Sequence, residues 1–203
     1  MLDDYQPTPL EQWIENLWIK AGVLTPDQLT IDEVAGRLNV WVHYLDQPGK
    51  ALEWMGMRSV LVDKRLSRAE QWEEFLHELC HVLRHAGSQA LMPRPFLERQ
   101  EADANRFVLY ASTPSFMLKQ LRFPDRLSDA AELIVSHFGV THKLAYRRLE
   151  QIQRRAFEAI LWQEFKRFEL ARRRAASERL RVPAAPCSSM KAPSFFAGRN
   201  PVY

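Results

Sequence analysis

Cysteine is nearly absent from this 203-residue chain, with Cys80 and Cys187 the only two. One falls inside a helical pattern and the other in a Pro/Ser/Ala-rich tail, which excludes a disulfide framework as the source of stability. No run approaches the roughly 18 consecutive apolar residues that a membrane span needs. The opening segment, MLDDYQPTPLEQW, is acidic and lacks the basic-then-apolar layout of a secretory leader. The expected location is therefore the cytoplasm, with no membrane partner. No internal repeat stands out. What is present is an apolar fraction of 46%, enough for a real core in one moderate domain or a compact domain with an appendage.

The net charge of +3 is unevenly spread. Residues 1–142 carry 14 Lys/Arg against 20 Asp/Glu, whereas residues 143–181 carry 12 against 5. An acidic body with a basic extension offers two surfaces suited to different partners. The competing explanation is a charged, solvated helix face.

Local signals divide the chain further. Thr8-Pro9-Leu10-Glu11 is a helix start, with an N-cap hydroxyl, Pro at the first helical position and Glu at N3. Thr30-Ile31-Asp32-Glu33 repeats the pattern for a short helix ending near Asn39. Residues 40–44 read as a strand, 47–50 as a turn, 51–57 as a second strand and Ser59–Asp63 as the clearest strand of all. Ser67 caps a helix running to about Ala86, with Gly87 as its stop. A helix over about 96–112 follows, then a short one capped by Thr113-Pro114, a helix from Leu127 to Phe138, a break at Gly139, and a long basic helix from Thr141 towards Leu180. Residues 182–203 have the composition of a disordered tail.

The chemistry lies in His77-Glu78-Leu79-Cys80-His81, an HExxH motif that this composition would produce by chance roughly 0.014 times. On a helix, positions i and i+4 share a face, so two imidazoles can reach one zinc ion. Glu78, one step round, is a poor ligand but can take a proton from a zinc-activated water. Catalytic zinc uses three protein ligands. The next helix offers Glu101, with Glu98 as the rival one turn earlier. Asn105, four residues after Glu101, is placed to orient His77 or His81. Asp103 reads as solvated. His85 either extends the metal face or simply suits a helix C-terminus, and Cys80 reads as a small core residue.

HELCHVLRH, preceded by SVLVDKRL and followed by Glu101, Ala104, Asn105 and Phe107 in ExxANxF, resembles the ImmA/IrrE family of metallo-endopeptidases over roughly residues 30–150. The resemblance implies a zincin-like minimal peptidase core joined to a helix-turn-helix-like region. It also implies His77, His81 and Glu101 as ligands, Glu78 as the catalyst, and as substrate a repressor of a mobile element or a stress-response regulator. The chain departs from the family in having Cys80 where Gly is commoner, and Ser112-Thr113-Pro114 where Leu-Met-Pro is usual.

The remaining expectations are finer. Tyr146, His137 and His142 are candidate donors to the transition-state oxyanion, with Tyr146 the one retained. Strand Ser59–Asp63, if it is a sheet edge above the metal, could accept a peptide as an added strand; proline at Val60 or Val62 would test that. Leu127–Leu149 resembles a helix-turn-helix whose second helix carries Lys143, Arg147 and Arg148, which leaves DNA open as a partner. Phe157, Trp162, Phe165 and Phe168, between Arg154-Arg155 and Arg172-Arg173-Arg174, could dock a protein or nucleic acid, but aromatics at helical spacing are more often buried. The expected architecture is α+β: a zincin-like domain over 1–125, a helical region over 126–181 and a tail over 182–203. The expected function is zinc-dependent proteolysis of a regulatory protein; the alternative is a zinc-containing regulator that acts by binding DNA or a repressor. Cys187, if its thiolate capped the zinc, would be protected from labelling by bound metal.

Overall fold

Three helices begin by the same chemistry. The hydroxyls of Thr8, Thr30 and Ser67 accept the backbone N–H of the residue three positions on, at 3.2, 3.3 and 3.4 Å. These caps open α1 (Pro9–Ala21), α2 (Ile31–Leu38) and α3 (Arg68–Arg84). For Thr8 and Ser67 the N3 glutamate returns the bond, completing the expected box. Glu33 does not: its carboxylate pairs instead with Arg37 at 2.8 Å. Gly22 and Asn39 end α1 and α2 in the left-handed conformation.

The computed structural model describes residues 5–85 and 92–180, with side chains to Ser177. Gly87, the tail and Cys187 lie outside them. The remaining elements are β1 (Trp41–Leu45), β2 (Lys50–Trp54), β3 (Met57–Asp63), α4 (Arg94–Ala111), α5 (Ser115–Leu118), α6 (Leu127–Phe138) and α7 (His142–Leu180), with a 3₁₀ turn at Pro26–Gln28. The class is α+β, a small sheet among helices, as the sequence indicated.

The sheet order is β1–β3–β2, with β1 parallel and β2 antiparallel to β3. Strand β3 is thus the centre of the sheet and not an edge. Among the described residues it is the only strand with a run of buried residues, Val60 to Asp63. A strand covered on both faces reads as a continuous apolar run, which is why SVLV stands out in the sequence. The exposed edge beside α3 is β2. The 51–57 segment is not one strand, because Met55 (φ 49°) and Gly56 (φ 81°) make a two-residue hairpin turn. A Met where Asn is usual hides that turn from sequence inspection.

Helix α3 packs on β3 and on α4, and α4 in turn on α1. Phe75, Leu76, Leu79, Phe107, Trp18 and Ile14 are fully buried in the shared core. The α3 helix stops at Arg84, two residues short of expectation, and His85 takes an extended conformation. Thr113 does not cap α5: its hydroxyl donates back to the Leu109 carbonyl at 2.7 Å, and Pro114 holds the N-cap position.

Among the described residues, those up to Leu161 form one compact unit and those from Trp162 a second. A polar knot lies inside the first unit. Arg148 and Glu11, both sealed from solvent, pair at 2.9 Å. Tyr5 donates to Glu11 at 2.7 Å, and Gln151 donates to Tyr5 at 2.9 Å. The Arg148 guanidinium also lies 5.0 Å from the Tyr110 ring centre. The start of α7 is therefore built into the same core as α1. In the second unit Trp162 stacks on Phe165 at 5.6 Å, but Trp162, Phe165 and Phe168 are exposed, as is Phe157 in the first unit, against the expectation of burial.

Breaking the knot from one side leaves a buried charge without its partner. Arg148→Ala or Glu11→Ala should lower unfolding stability by about 3–5 kcal/mol, whereas replacing both by apolar residues should cost much less. Burial pushes the Glu11 carboxyl up, but Arg148 and the Thr8 N–H outweigh it and hold it below its ordinary value. Its contribution is then present above the unfolded-state value near ~4.3 and lost as pH falls through the depressed one. Urea midpoints of wild type and the double apolar variant should converge in acid; a constant gap between pH 7 and pH 3 would contradict this.

Candidate metal centre

Helix α3 buries Phe75, Leu76, Leu79 and Cys80. That face fixes the rotation of the helix and turns His77 and His81 towards α4. The two Nε2 atoms are 3.2 Å apart. Glu101 of α4 brings Oε2 to 3.2 Å from His77 Nε2 and Oε1 to 3.4 Å from His81 Nε2. A tetrahedral zinc at roughly 2.0–2.1 Å from each ligand sets its donors about 3.3 Å apart. Two imidazole nitrogens and a carboxylate at this separation therefore suit zinc in both spacing and chemistry.

Burial, with the neighbouring His77 adding to it, pushes the His81 imidazole down to about 4, so it is neutral at ordinary pH and its ring nitrogen is available as a donor. Glu78 is half-buried. Burial raises its proton affinity above the usual carboxylate value, against the opposing pull of His77 and of the Ala51 N–H that it accepts. That backbone bond ties the general-base candidate to the edge strand β2. Burial pushes the Cys80 thiol up to about 12, consistent with a core residue.

Two cavities meet at this point. One, of about 920 Å³, is lined by His77, Glu78, His81, His85 and Glu101 from the helices and by Lys50–Glu53 with the Met55–Gly56 turn from the sheet side. The other, of about 400 Å³, shares His77 and Glu78 and adds Glu73, Asn105, Leu144 and Arg147.

The structure brings together His77, Glu78, His81 and Glu101. Glu98 is excluded as the third donor of this group, since it is exposed and paired with Arg94 at 2.9 Å. Asn105 does not bond a histidine: its amide donates to the Glu101 carbonyl at 2.8 Å, and its side chain borders the smaller cavity. Among the described residues, Tyr146, His137 and His142 line neither cavity. His137 faces the Leu133 carbonyl and His142 pairs with Glu132. Arg147, one position along the helix from Tyr146, borders the smaller cavity. Arg148 is wholly buried, so of the three basic residues read as a DNA-facing set one is in the core and one borders the cavity. Asp103, expected to be solvated, is half-buried and contacts Arg84, Arg106 and His85. It lies on the α4 flank facing the end of α3, a relation that no spacing within α4 reveals.

Glu74 braces the sheet side. Its carboxylate accepts the N–H groups of Gly49 and Asp63 at 2.8 and 2.7 Å. A Cβ on Gly49 would come within 2.6 Å of the Glu74 side chain.

Residues 35–150 match the peptidase M78 family, described as the IrrE N-terminal-like domain. The chain is 39% identical over 146 residues to phage-like element PBSX protein XkdA of Bacillus subtilis strain 168, covering 72% of this chain and 74% of that protein. It is 32% identical over 145 residues to uncharacterized protein YqaB of the same organism, covering 71% and 84%. A solved Mycobacterium tuberculosis transcriptional regulator shares the fold, with a TM-score of 0.52 at 17% identity; the match covers 70% of this chain and 47% of that one.

Gly49→Ala should displace Glu74 and loosen the β1–β2 turn that borders both cavities. The expected cost is about 1–3 kcal/mol by thermal unfolding, largely relieved by Glu74→Ala in the same chain. Additive effects of the two changes would rule out the proposed close contact.

Proposed function

The chain belongs to the IrrE N-terminal-like (peptidase M78) family, and on that premise we propose that it is a zinc-dependent endopeptidase acting on a regulatory protein. Family membership carries a metallopeptidase-like role. The observation that carries the finer reading is the 3.2–3.4 Å spacing among the donor atoms of His77, His81 and Glu101, with Glu78 in the lining of the same cavity.

His77 and His81 would hold the ion through Nε2, and Glu101 would offset part of its charge. Zinc, when bound, supplies a Lewis acid that acidifies water and polarises a peptide carbonyl. Glu78 accepts the proton from the attacking water and passes it to the leaving amine. Its hydrogen bond from Ala51 fixes the carboxylate between helix and sheet, and its burial keeps its proton affinity nearer working pH. Arg147, in the cavity shared with Glu78, replaces Tyr146 as the donor candidate for the developing oxyanion.

The substrate segment adds to the outer edge of β2. Ala51 turns its N–H outward to Glu78. By the alternation of an antiparallel strand, Glu53 presents its backbone groups on the same side. Exposed Leu52, Trp54 and Met55 offer apolar contacts alongside. The peptide is therefore extended and partly apolar, a loop or linker of its parent protein. The name of one relative refers to a phage-like element, which supports a regulator of a mobile element as the target.

Wild type should bind one zinc and cleave a cognate repressor. Glu78→Gln should keep the zinc and lose about 10²–10⁴-fold in kcat. Zinc bound without cleavage of any repressor, but with tight binding to one, would instead favour a regulator that works by binding. Proline at Val60 or Val62 would break the central strand, so strand addition is tested at the edge. Glu53→Pro removes an outward N–H while sparing the β2–β3 ladder. Its kcat/KM should fall about tenfold, the worth of one hydrogen bond, with zinc content unchanged; unaltered kinetics would reject docking on β2.

A further inference from the structure

Three histidines stand one turn apart on α3 and at its end. His77 and His81 have ring centres 4.9 Å apart, as do His81 and His85. His81 uses its two nitrogens differently. Nε2 lies in the group with His77 and Glu101, while Nδ1 is 2.8 Å from Nδ1 of His85. His85 in turn sets its Nε2 3.5 Å from Asp103 Oδ2. Both carboxylate oxygens of Asp103 are further engaged, Oδ2 by Arg84 at 3.1 Å and Oδ1 by Arg106 at 3.4 Å. Arg84 is itself laid over the Trp13 ring at 4.8 Å.

Two neutral imidazoles meeting nitrogen to nitrogen must divide the roles of donor and acceptor. Asp103 decides the division. As an anion it favours a proton on the facing Nε2 of His85, which leaves His85 Nδ1 with a lone pair. His85 Nδ1 then accepts from His81 Nδ1–H, and His81 Nε2, facing His77 and Glu101, carries a lone pair in place of a proton. We propose that His85 and Asp103 form a positioning relay that fixes His81 in the tautomer offering Nε2 to the metal. The inference rests on the reading of His77, His81 and Glu101 as zinc ligands and extends it to two residues outside that set. Neither His85 nor Asp103 belongs to the donor group of His77, His81 and Glu101.

Cys80, His85 and Asp103 also lie close enough together to hold a second cation. The two guanidiniums on Asp103 argue against it. They already neutralise the carboxylate, and any ion there would displace at least one of them and face the other at short range.

The test uses the full chain as wild type, His85→Leu, His85→Asn and Asp103→Asn. Zinc affinity is measured by competition with a chromophoric chelator, and nitrogen-15 NMR of the metal-free protein reads which His81 nitrogen carries the proton. Wild type should bind one zinc, with the His81 proton on Nδ1 before metal is added. His85→Leu should weaken zinc binding about 10–100-fold and leave His81 as a tautomer mixture, with the fold intact by circular dichroism. His85→Asn, whose side-chain oxygen can accept the same proton, should recover most of the affinity. Asp103→Asn should fall between the two and, should the leucine variant fail to fold, carries the test alone. Wild-type zinc affinity and an unmixed His81 tautomer in His85→Leu and Asp103→Asn would overturn the relay while leaving the ligand assignment standing. A wild type that binds no zinc would overturn the ligand assignment and the relay with it. Two equivalents of zinc, one lost in Cys80→Ala, would replace the relay with a second metal site.

Discussion

Helix α3 has to satisfy two surfaces at once. Phe75, Leu76 and Leu79 must be buried against the sheet and the core, and that burial sets the rotation of the whole helix. Because side chains recur every 3.6 residues, fixing those positions also fixes His77 and His81 on the flank towards α4. Helix α4 packs on α3, and its Ala104 and Phe107 are fully buried. That packing carries Glu101 within 3.4 Å of both histidines. The donor group is thus a product of core packing, and a change that rotated α3 would dissolve it without altering any donor.

The same dependence continues outward. Glu78 reaches β2 only because β2 is an edge, and β2 is an edge only because β1 occupies the other side of β3. Glu74 holds the β1–β2 turn and the end of β3 with one carboxylate. The buried Glu11–Arg148 pair joins the first helix to the last. That pair commits the start of α7 to the core and sets Arg147 at the smaller cavity. Charge that looks like a nucleic-acid surface in one dimension is partly internal wiring in three.

Much of this was legible in the sequence. HExxH, its helix and the capping boxes at Thr8 and Ser67 are local patterns, and local patterns survive in one dimension. Glu101 was distinguishable from Glu98 only through a resemblance, since nothing in α4 alone says which turn faces α3. Apart from the Met55–Gly56 turn and the Thr113 cap, which are local, what was misread depended on a partner distant in the chain. Val60 and Val62 announce a strand but not its neighbours, so an edge was expected where the sheet has its centre. Arg148 looks solvated until Glu11 is beside it, and Asp103 until Arg84 and His85 are. Asn105 bonds the Glu101 carbonyl of its own helix, and the outer nitrogen of His81 faces His85. The exposed aromatics of α7 carry a buried-face pattern with no neighbour in the described residues to bury them.

Zinc K-edge X-ray absorption on the purified, zinc-loaded chain tests the ligand set most directly. The expected first shell is nitrogen and oxygen alone at about 2.0–2.1 Å, with the multiple-scattering signature of two imidazoles, and with loss of tight binding in Glu101→Ala. A sulfur scatterer at about 2.3 Å, or an unchanged spectrum and affinity in Glu101→Ala, would contradict the assignment of His77, His81 and Glu101.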